Sequence, residues 1–242
     1  LDIYEHEKDW ALAVEHGLKS AELKKNTDVA MRVAQYCCEM AEDHLKENSI
    51  REAVSHFEQA VAIDKSCIRA ILGSARLKIV NKEYASALTL LRRVAEISPE
   101  NTPLILPGLL ECTIETNSFD QHQKYLHHLL SETGQVPVLL AIVESMMLQG
   151  ESANAVKFLL QRVKKSPSIS SLDYAMNQLE MSQAEKSDVL ELIPGMLEKV
   201  KSDQVNYRCV QCGFSVTQHH WKCPSCKGWQ SIKPVIEYEV SS

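Results

Sequence analysis

Glycine and proline are scarce in this chain, with eight of each among 242 residues. So little turn-forming sequence leaves almost all of residues 1–200 reading as helix. No two glycines lie two apart, so there is no G-x-G dinucleotide loop, and none opens a Walker A loop. G-x-S-x-G and H-E-x-x-H are also missing, which removes the commonest nucleophile-elbow and zinc-protease readings. No run of about 18 apolar residues, the length that spans a bilayer, occurs anywhere. Positive charge is short too, and net charge is −6. Residues 201–242 hold five basic and three acidic side chains, so residues 1–200 carry −8. An acidic body argues against a long phosphate-binding surface.

What is present begins abruptly. The opening "LDIYEHEKDW" reads as the middle of an element, so we expect the chain to be part of a longer protein. At 45% apolar it can bury a real core, as one extended or two compact domains.

The helical part repeats. Ile50, Ala53 and Phe57 form a large–small–large set, with Lys65 where a proline would follow. Tyr84, Ala87, Leu91 and Pro99 follow one period later, and Ser152, Ala155, Leu159 and Pro167 return further on. Between them stand Phe119, His122 and Leu126, one residue out of register and without the small residue. Trp10, Ala13 and Gly17 make a more divergent first set. All three steps from Ile50 to Ser152 lie within one residue of the period of about 34 that marks tetratricopeptide repeats. Packing explains the pattern. A small residue lets two helices cross closely, the large one fills the adjacent groove, and proline ends the second helix. Turns are expected at "KENS", "VNKE", "ETNS" and "LQGES". A plain helical bundle is the weaker alternative.

Residues 169–200 are expected to add two capping helices, "SSLDYAMNQLEM" and "AEKSDVLELIPGMLEKV", the second interrupted at Pro194–Gly195. A short polar linker, "KSDQVN", comes next. The reading is therefore mainly α: a repeat array over 1–168, capping helices and linker over 169–203, and a small module over 204–242.

That module carries the chemistry. Cys209-x2-Cys212, ten residues, then Cys223-x2-Cys226 gives two thiol pairs at chelating spacing. Each C-x-x-C turn can aim two sulfurs at one ion, and two turns complete a tetrahedron. Gly213 and Gly228 are expected to supply the positive φ that tightens each turn. Disulfides would suit a secreted domain, but the other cysteines sit singly or as one pair in helices, as in a reduced protein. A redox C-x-x-C belongs to a βαβ pattern that is missing here. Metal is the better reading, and four thiolates accept zinc or iron. Four thiolates with one divalent ion leave −2, which Arg208, Lys222 and Lys227 are placed to offset. Tyr207, Phe214, Trp221 and Trp229 are more ring surface than so small a module can bury alone. We expect them, Trp221 and Phe214 first, to pack on the array near its C-terminal end.

The remaining candidates read as structural. His122, His127 and His128 lack the i, i+4 spacing of a helical metal pair and read as solvated or satisfied. His219 and His220 are loop residues. Cys37, Cys38, Cys67 and Cys112 have apolar helical neighbours and read as buried thiols.

Three stretches, "LDIYEHEKDWALAVE", "ISPENTPLILPGLLEC" and above all "YRCVQCGFSVTQHHWKCPSCKGWQSIKP", resemble the lipopolysaccharide assembly protein B family of Gram-negative bacteria. The resemblance covers essentially the whole chain. It implies a tetratricopeptide α-solenoid with a C-terminal rubredoxin-type knuckle whose ligands are Cys209, Cys212, Cys223 and Cys226. It also implies an N-terminal membrane anchor preceding this sequence and a place on the cytoplasmic face of the inner membrane. The implied role is regulatory and non-enzymatic: aiding the membrane protease FtsH to degrade the LpxC deacetylase, among other lipopolysaccharide-assembly proteins. No nucleic-acid partner is expected, and a homodimer is left open. A rubredoxin-like electron carrier and a general assembly scaffold are the alternatives.

Overall fold

The computed structural model describes residues 2–19, 27–166, 168–179, 181–191 and 207–235. Its helices come in hairpins. The first three are α1 (Asp2–Glu7) with α2 (Trp10–Lys19), α3 (Thr27–Lys46) with α4 (Ile50–Ile63), and α5 (Ile68–Val80) with α6 (Tyr84–Ile97). A 3-10 turn over Pro99–Leu104 follows. Next come α7 (Leu106–Thr116) with α8 (Phe119–Thr133), and α9 (Val136–Leu148) with α10 (Ser152–Lys165). The last helices among the described residues are α11 (Ile169–Gln178) and α12 (Gln183–Leu190). Pro167, the Pro194–Gly195 interruption and the linker at 201–206 lie outside the described residues.

The repeat set marks the second helix of each hairpin. Trp10, Ile50, Tyr84, Phe119 and Ser152 are the first residues of α2, α4, α6, α8 and α10. Ala13, Ala53, Ala87 and Ala155, three residues in, are fully buried, and so are Leu126 and Leu159 four further on. Phe57 is buried against Gly73 of α5, where a Cβ would stand 2.4 Å from the ring. His122 holds the small-residue position of α8 and is buried, so of the two roles expected for it, solvated or satisfied, it does not take the solvated one. An imidazole fits there because it occupies the crossing that alanine fills elsewhere.

One device makes every hairpin turn. Two residues before each second helix the backbone is left-handed, at Lys8, Asn48, Lys82, Asn117 and Gly150. The next residue's N–H then donates to the carbonyl five back: Asp9 to Tyr4, Ser49 to His44, Glu83 to Lys78, Ser118 to Thr113 and Glu151 to Met146, all within 2.8–3.1 Å. This is the Schellman closure, which satisfies carbonyls that the helix end leaves without a partner. Asparagine and glycine tolerate that backbone, whereas Lys8 and Lys82 adopt it against their preference.

The chain divides into two compact units. One comprises Leu1–Pro99 with Cys209–Phe214 and His220–Ile232. Its core joins Val33, Tyr36, Cys37, Cys38 and Phe57 to Trp229. The other comprises Glu100–Arg208 with Ser215–His219 and Lys233–Ser242. Leu126, Leu139, Ile142 and Leu159 are buried within it. Residues 207–235 form short strands β1 (Tyr207–Cys209), β2 (Ser215–Val216) and β3 (Ile232–Pro234), in the order β2-β1-β3. Tyr207 pairs with Val216 and Arg208 with Ser215, antiparallel.

Candidate metal centre

Two C-x-x-C turns of the same construction carry the four thiols. In the first, the Cys209 N–H donates to the Phe214 carbonyl at 2.8 Å and the Gly213 N–H returns to Cys209 at 2.9 Å. In the second, Cys223 and Gly228 make the first bond at 2.9 Å, and Lys227 and Cys223 the second at 3.0 Å. The matching left-handed residues are Gly213 and Lys227. Gly228 is therefore not the positive-φ residue expected of it. It is glycine for space: a Cβ there would lie 2.0 Å from Gln211 Oε1 and 3.1 Å from Ser231 Oγ.

The turns bring Cys209, Cys212, Cys223 and Cys226 together, with all four Sγ atoms within 4.8 Å of one another. Cys209 and Cys226 sulfurs are 3.6 Å apart, and those of Cys212 and Cys223 are 3.8 Å apart. Sulfurs about 2.3 Å from one zinc ion stand about 3.8 Å apart along a tetrahedral edge. The donor set therefore fits a single thiophilic metal ion. Cys209 and Cys223 are buried, whereas Cys212 and Cys226 are exposed.

Polar neighbours prepare the sulfurs for that role. Burial pushes the Cys209 thiol up, but its hydrogen bonds with Ser231 and with the Cys212 and Gln211 N–H groups outweigh it and bring its pKa to about 6. Ser231 Oγ lies 3.3 Å from that sulfur and 2.9 Å from the Gly228 carbonyl. The Gly228 N–H pulls Cys226 down, yet burial and the three neighbouring sulfurs win and push it to about 11. Four such groups cannot all ionise without a cation among them. The flanking cations do not serve that purpose. Lys222 pairs with Glu5 instead, and Lys227 donates to the Pro224 carbonyl at 2.8 Å. Arg208 is exposed.

The four rings have separate fates. Trp229 is buried in the core of the first unit, edge-on to Tyr36 at 6.1 Å. Trp221 packs against the same core, with the Arg69 guanidinium 5.9 Å from its ring. Phe214 is 41% exposed, contrary to expectation, and Tyr207 is half-buried against His219. The rings that do pack meet α1, α3 and α5, at the opposite end of the chain from the expected C-terminal helices.

Two anchoring residues carried no sequence signal. Glu5 of α1 accepts hydrogen bonds from Trp229 Nε1 at 3.1 Å, Tyr36 Oη at 2.6 Å and Arg32 Nη2 at 2.8 Å, besides its pair with Lys222. Burial raises its pKa, but Lys222, Tyr36 and Arg32 overcome it and hold the carboxyl at about 2. Arg69, only 4% exposed, is fixed by Glu42 at 2.8 and 2.6 Å and by Glu39 at 2.8 Å.

The other candidates are structural. Cys37, Cys38, Cys67 and Cys112 are buried and reduced, with Cys38 and Cys67 sulfurs 3.7 Å apart. His127 packs on Phe158, and burial there lowers its pKa. His219 packs edge-on to Tyr207, with ring centroids 5.4 Å apart.

Comparison with known proteins places this geometry. Residues 207–234 match the rubredoxin metal binding domain family, and residues 44–104 match the tetratricopeptide repeat family. Lipopolysaccharide assembly protein B of Haemophilus influenzae is 30% identical over 99% of this chain and 60% of its own length. The protein of that name from Escherichia coli K12 is 26% identical over 97% of this chain and 61% of its own. The chain is similar to lipopolysaccharide assembly protein B along almost its whole length. It spans about three fifths of the length of these relatives. Among solved structures, the tetratricopeptide protein YrrB is 14% identical over 72% of this chain and 92% of that one, with a TM-score of 0.41. No helix among the described residues is long and apolar enough to cross a membrane.

Proposed function

We propose that this chain is the non-enzymatic adaptor part of a regulator of lipopolysaccharide synthesis, acting at the cytoplasmic face of the inner membrane. In this reading it promotes degradation of the LpxC deacetylase by the membrane protease FtsH. The observation that carries the reading is the closed thiol cluster on a repeat array. Cys209, Cys212, Cys223 and Cys226 bring four Sγ atoms within 4.8 Å of one another, enough ligands to close a tetrahedral site. A zinc ion held so has no open position for substrate, so its work is structural. Helical repeats supply extended surfaces for proteins. Residues 1–168 are the array, 169–203 the cap and linker, and 204–242 the metal domain. The sequence likeness to lipopolysaccharide assembly protein B over 97–99% of the chain supports the pathway.

The test is capture of LpxC or FtsH by the membrane-anchored full-length protein, paired with deacetylase levels after depletion. Failed capture with unchanged levels overturns the reading. One observation favours a second one, since Cys212 and Cys226 are exposed, as electron exchange with a partner requires. A zinc-loaded protein that keeps full regulatory activity excludes an electron carrier.

A further inference from the structure

We propose that the second unit carries a docking groove for a cationic, leucine-rich peptide segment of a partner protein. The groove lies between α7 and α9 and encloses about 620 Å³, within the range of about 300–1,000 Å³ typical of ligand sites. Its floor is apolar. Leu106, Leu110 and Ile114 recur at every fourth residue of α7 and so form one ridge, faced by Leu140 and Ala141 of α9. Ile114 is 49% exposed, a large aliphatic side chain left in water on a helix that buries Leu109 and Cys112 on its other face.

Charge selects the occupant. Glu111 and Glu115 form a second ridge of α7 beside the apolar one, and Glu144 stands on α9. No Lys or Arg is among the described residues lining the groove. Three carboxylates over an apolar floor of low dielectric favour Lys or Arg beside aliphatic side chains. The same carboxylates repel phosphate-bearing lipids and nucleic acids. A segment that alternates leucine with lysine satisfies both the floor and the rim. The proposal rests on the adaptor reading only for its partner being a protein.

The test uses fluorescein-labelled hexapeptides of leucine alternating with lysine, glutamine or glutamate, and measures anisotropy with the full chain. The lysine peptide should bind at least tenfold tighter than the glutamine one, and the glutamate peptide not at all. Glu111→Lys with Glu144→Lys should reverse the order. Both side chains are exposed, so the pair should fold, and Glu111→Gln with Glu144→Gln should give intermediate affinity if it does not. Equal binding of all three peptides, or an unchanged order in the reversed variant, overturns the proposal. So would groove-dependent binding of phosphatidylglycerol vesicles, or self-association lost in the reversed variant, which would assign the groove to lipid or to a second copy. If LpxC is captured equally by wild type and reversed variant while the peptides show no preference, the groove proposal fails and the adaptor stands. If the peptides follow the expected order and LpxC is never captured, the adaptor fails and the groove stands.

Discussion

Glu5 accepts the indole N–H of Trp229 at 3.1 Å, joining the first helix to the second C-x-x-C turn across 224 positions of sequence. The carboxylate also receives Lys222, so two residues flanking Cys223 and Cys226 are held by one side chain. With Tyr36 and Arg32 completing its shell, the charge is fully hydrogen-bonded although it is nearly buried. Arg69 repeats the arrangement in the opposite sign beneath Trp221. Within the first unit, the second C-x-x-C turn is thus seated on the helices by one carboxylate and one guanidinium, each beside a tryptophan.

Glu5→Gln should therefore destabilise the first unit by about 1.5–3 kcal/mol near neutral pH, the range for hydrogen bonds to charged groups. Its folded pKa of about 2 lies below the ordinary 4.5. A depressed carboxyl pKa gives stability that is complete above the unfolded value and is lost as pH falls through the folded one. The wild-type advantage over Glu5→Gln should hold above about pH 4.5 and shrink between there and pH 2. Urea melts of both proteins across that window check this. A difference independent of pH would mean that the carboxylate's charge is not what matters.

Gly73→Ala isolates helix crossing from helix propensity. Alanine should gain up to about 1 kcal/mol in a helix interior. The new Cβ, however, would lie 2.4–2.7 Å from three atoms of the buried Phe57 ring. Overpacking of this kind costs about 1–3 kcal/mol and should win. Phe57→Leu should recover part of the loss in the double mutant, as thermal melts would show. A neutral or stabilised Gly73→Ala would mean that the ring can move aside.

The periodic and the chelating features were legible from the chain, because both are local. A helix crossing needs a small residue at fixed spacing, which made Ala53, Ala87 and Ala155 visible. Two sulfurs reach one ion only from a short turn, which exposed Cys209, Cys212, Cys223 and Cys226. Glu5 and Arg69 were illegible because surface-type charges are common and their partners lie far away in sequence. Gly228 misled because a glycine can be required for space as well as for φ. Phe214 misled because counting rings says how much must be buried, not which ring is.

Lys82→Gly should stabilise the protein. The lysine is exposed and sits at φ 62° in the third hairpin turn, where Asn117 and Gly150 occupy the equivalent points of later turns. Relief of left-handed backbone in a non-glycine residue is worth about 1 kcal/mol, reduced somewhat by the freer unfolded chain. Gly150→Ala should lose a similar amount, since nothing lies within 4 Å of a Cβ there and only the backbone objects. Melting temperatures moving in opposite directions for the two variants are the expected result. Parallel shifts would refute a backbone origin.

Loss of the metal should be felt at the start of the chain. A module of residues 207–235 is too small to fold by its own core, and a structural four-thiolate site supplies about 10–16 kcal/mol in comparable peptides. Cys212→Ser removes an exposed ligand, so its direct packing cost is small and its effect should come through the metal. The variant should lose the one bound ion per chain by elemental analysis. Trp229 and Trp221 should then leave their places beside Tyr36 and Arg69, and Glu5 and Arg69 should lose what covers them. Hydrogen exchange should rise in α1 and α3, whose residues line that seat, by more than in α4, which packs on both α3 and α5. A chelator-treated wild type should show the same pattern, and restored zinc should reverse it. If α1 and α3 keep wild-type protection in Cys212→Ser, the module's folding is not coupled to the helices it rests on.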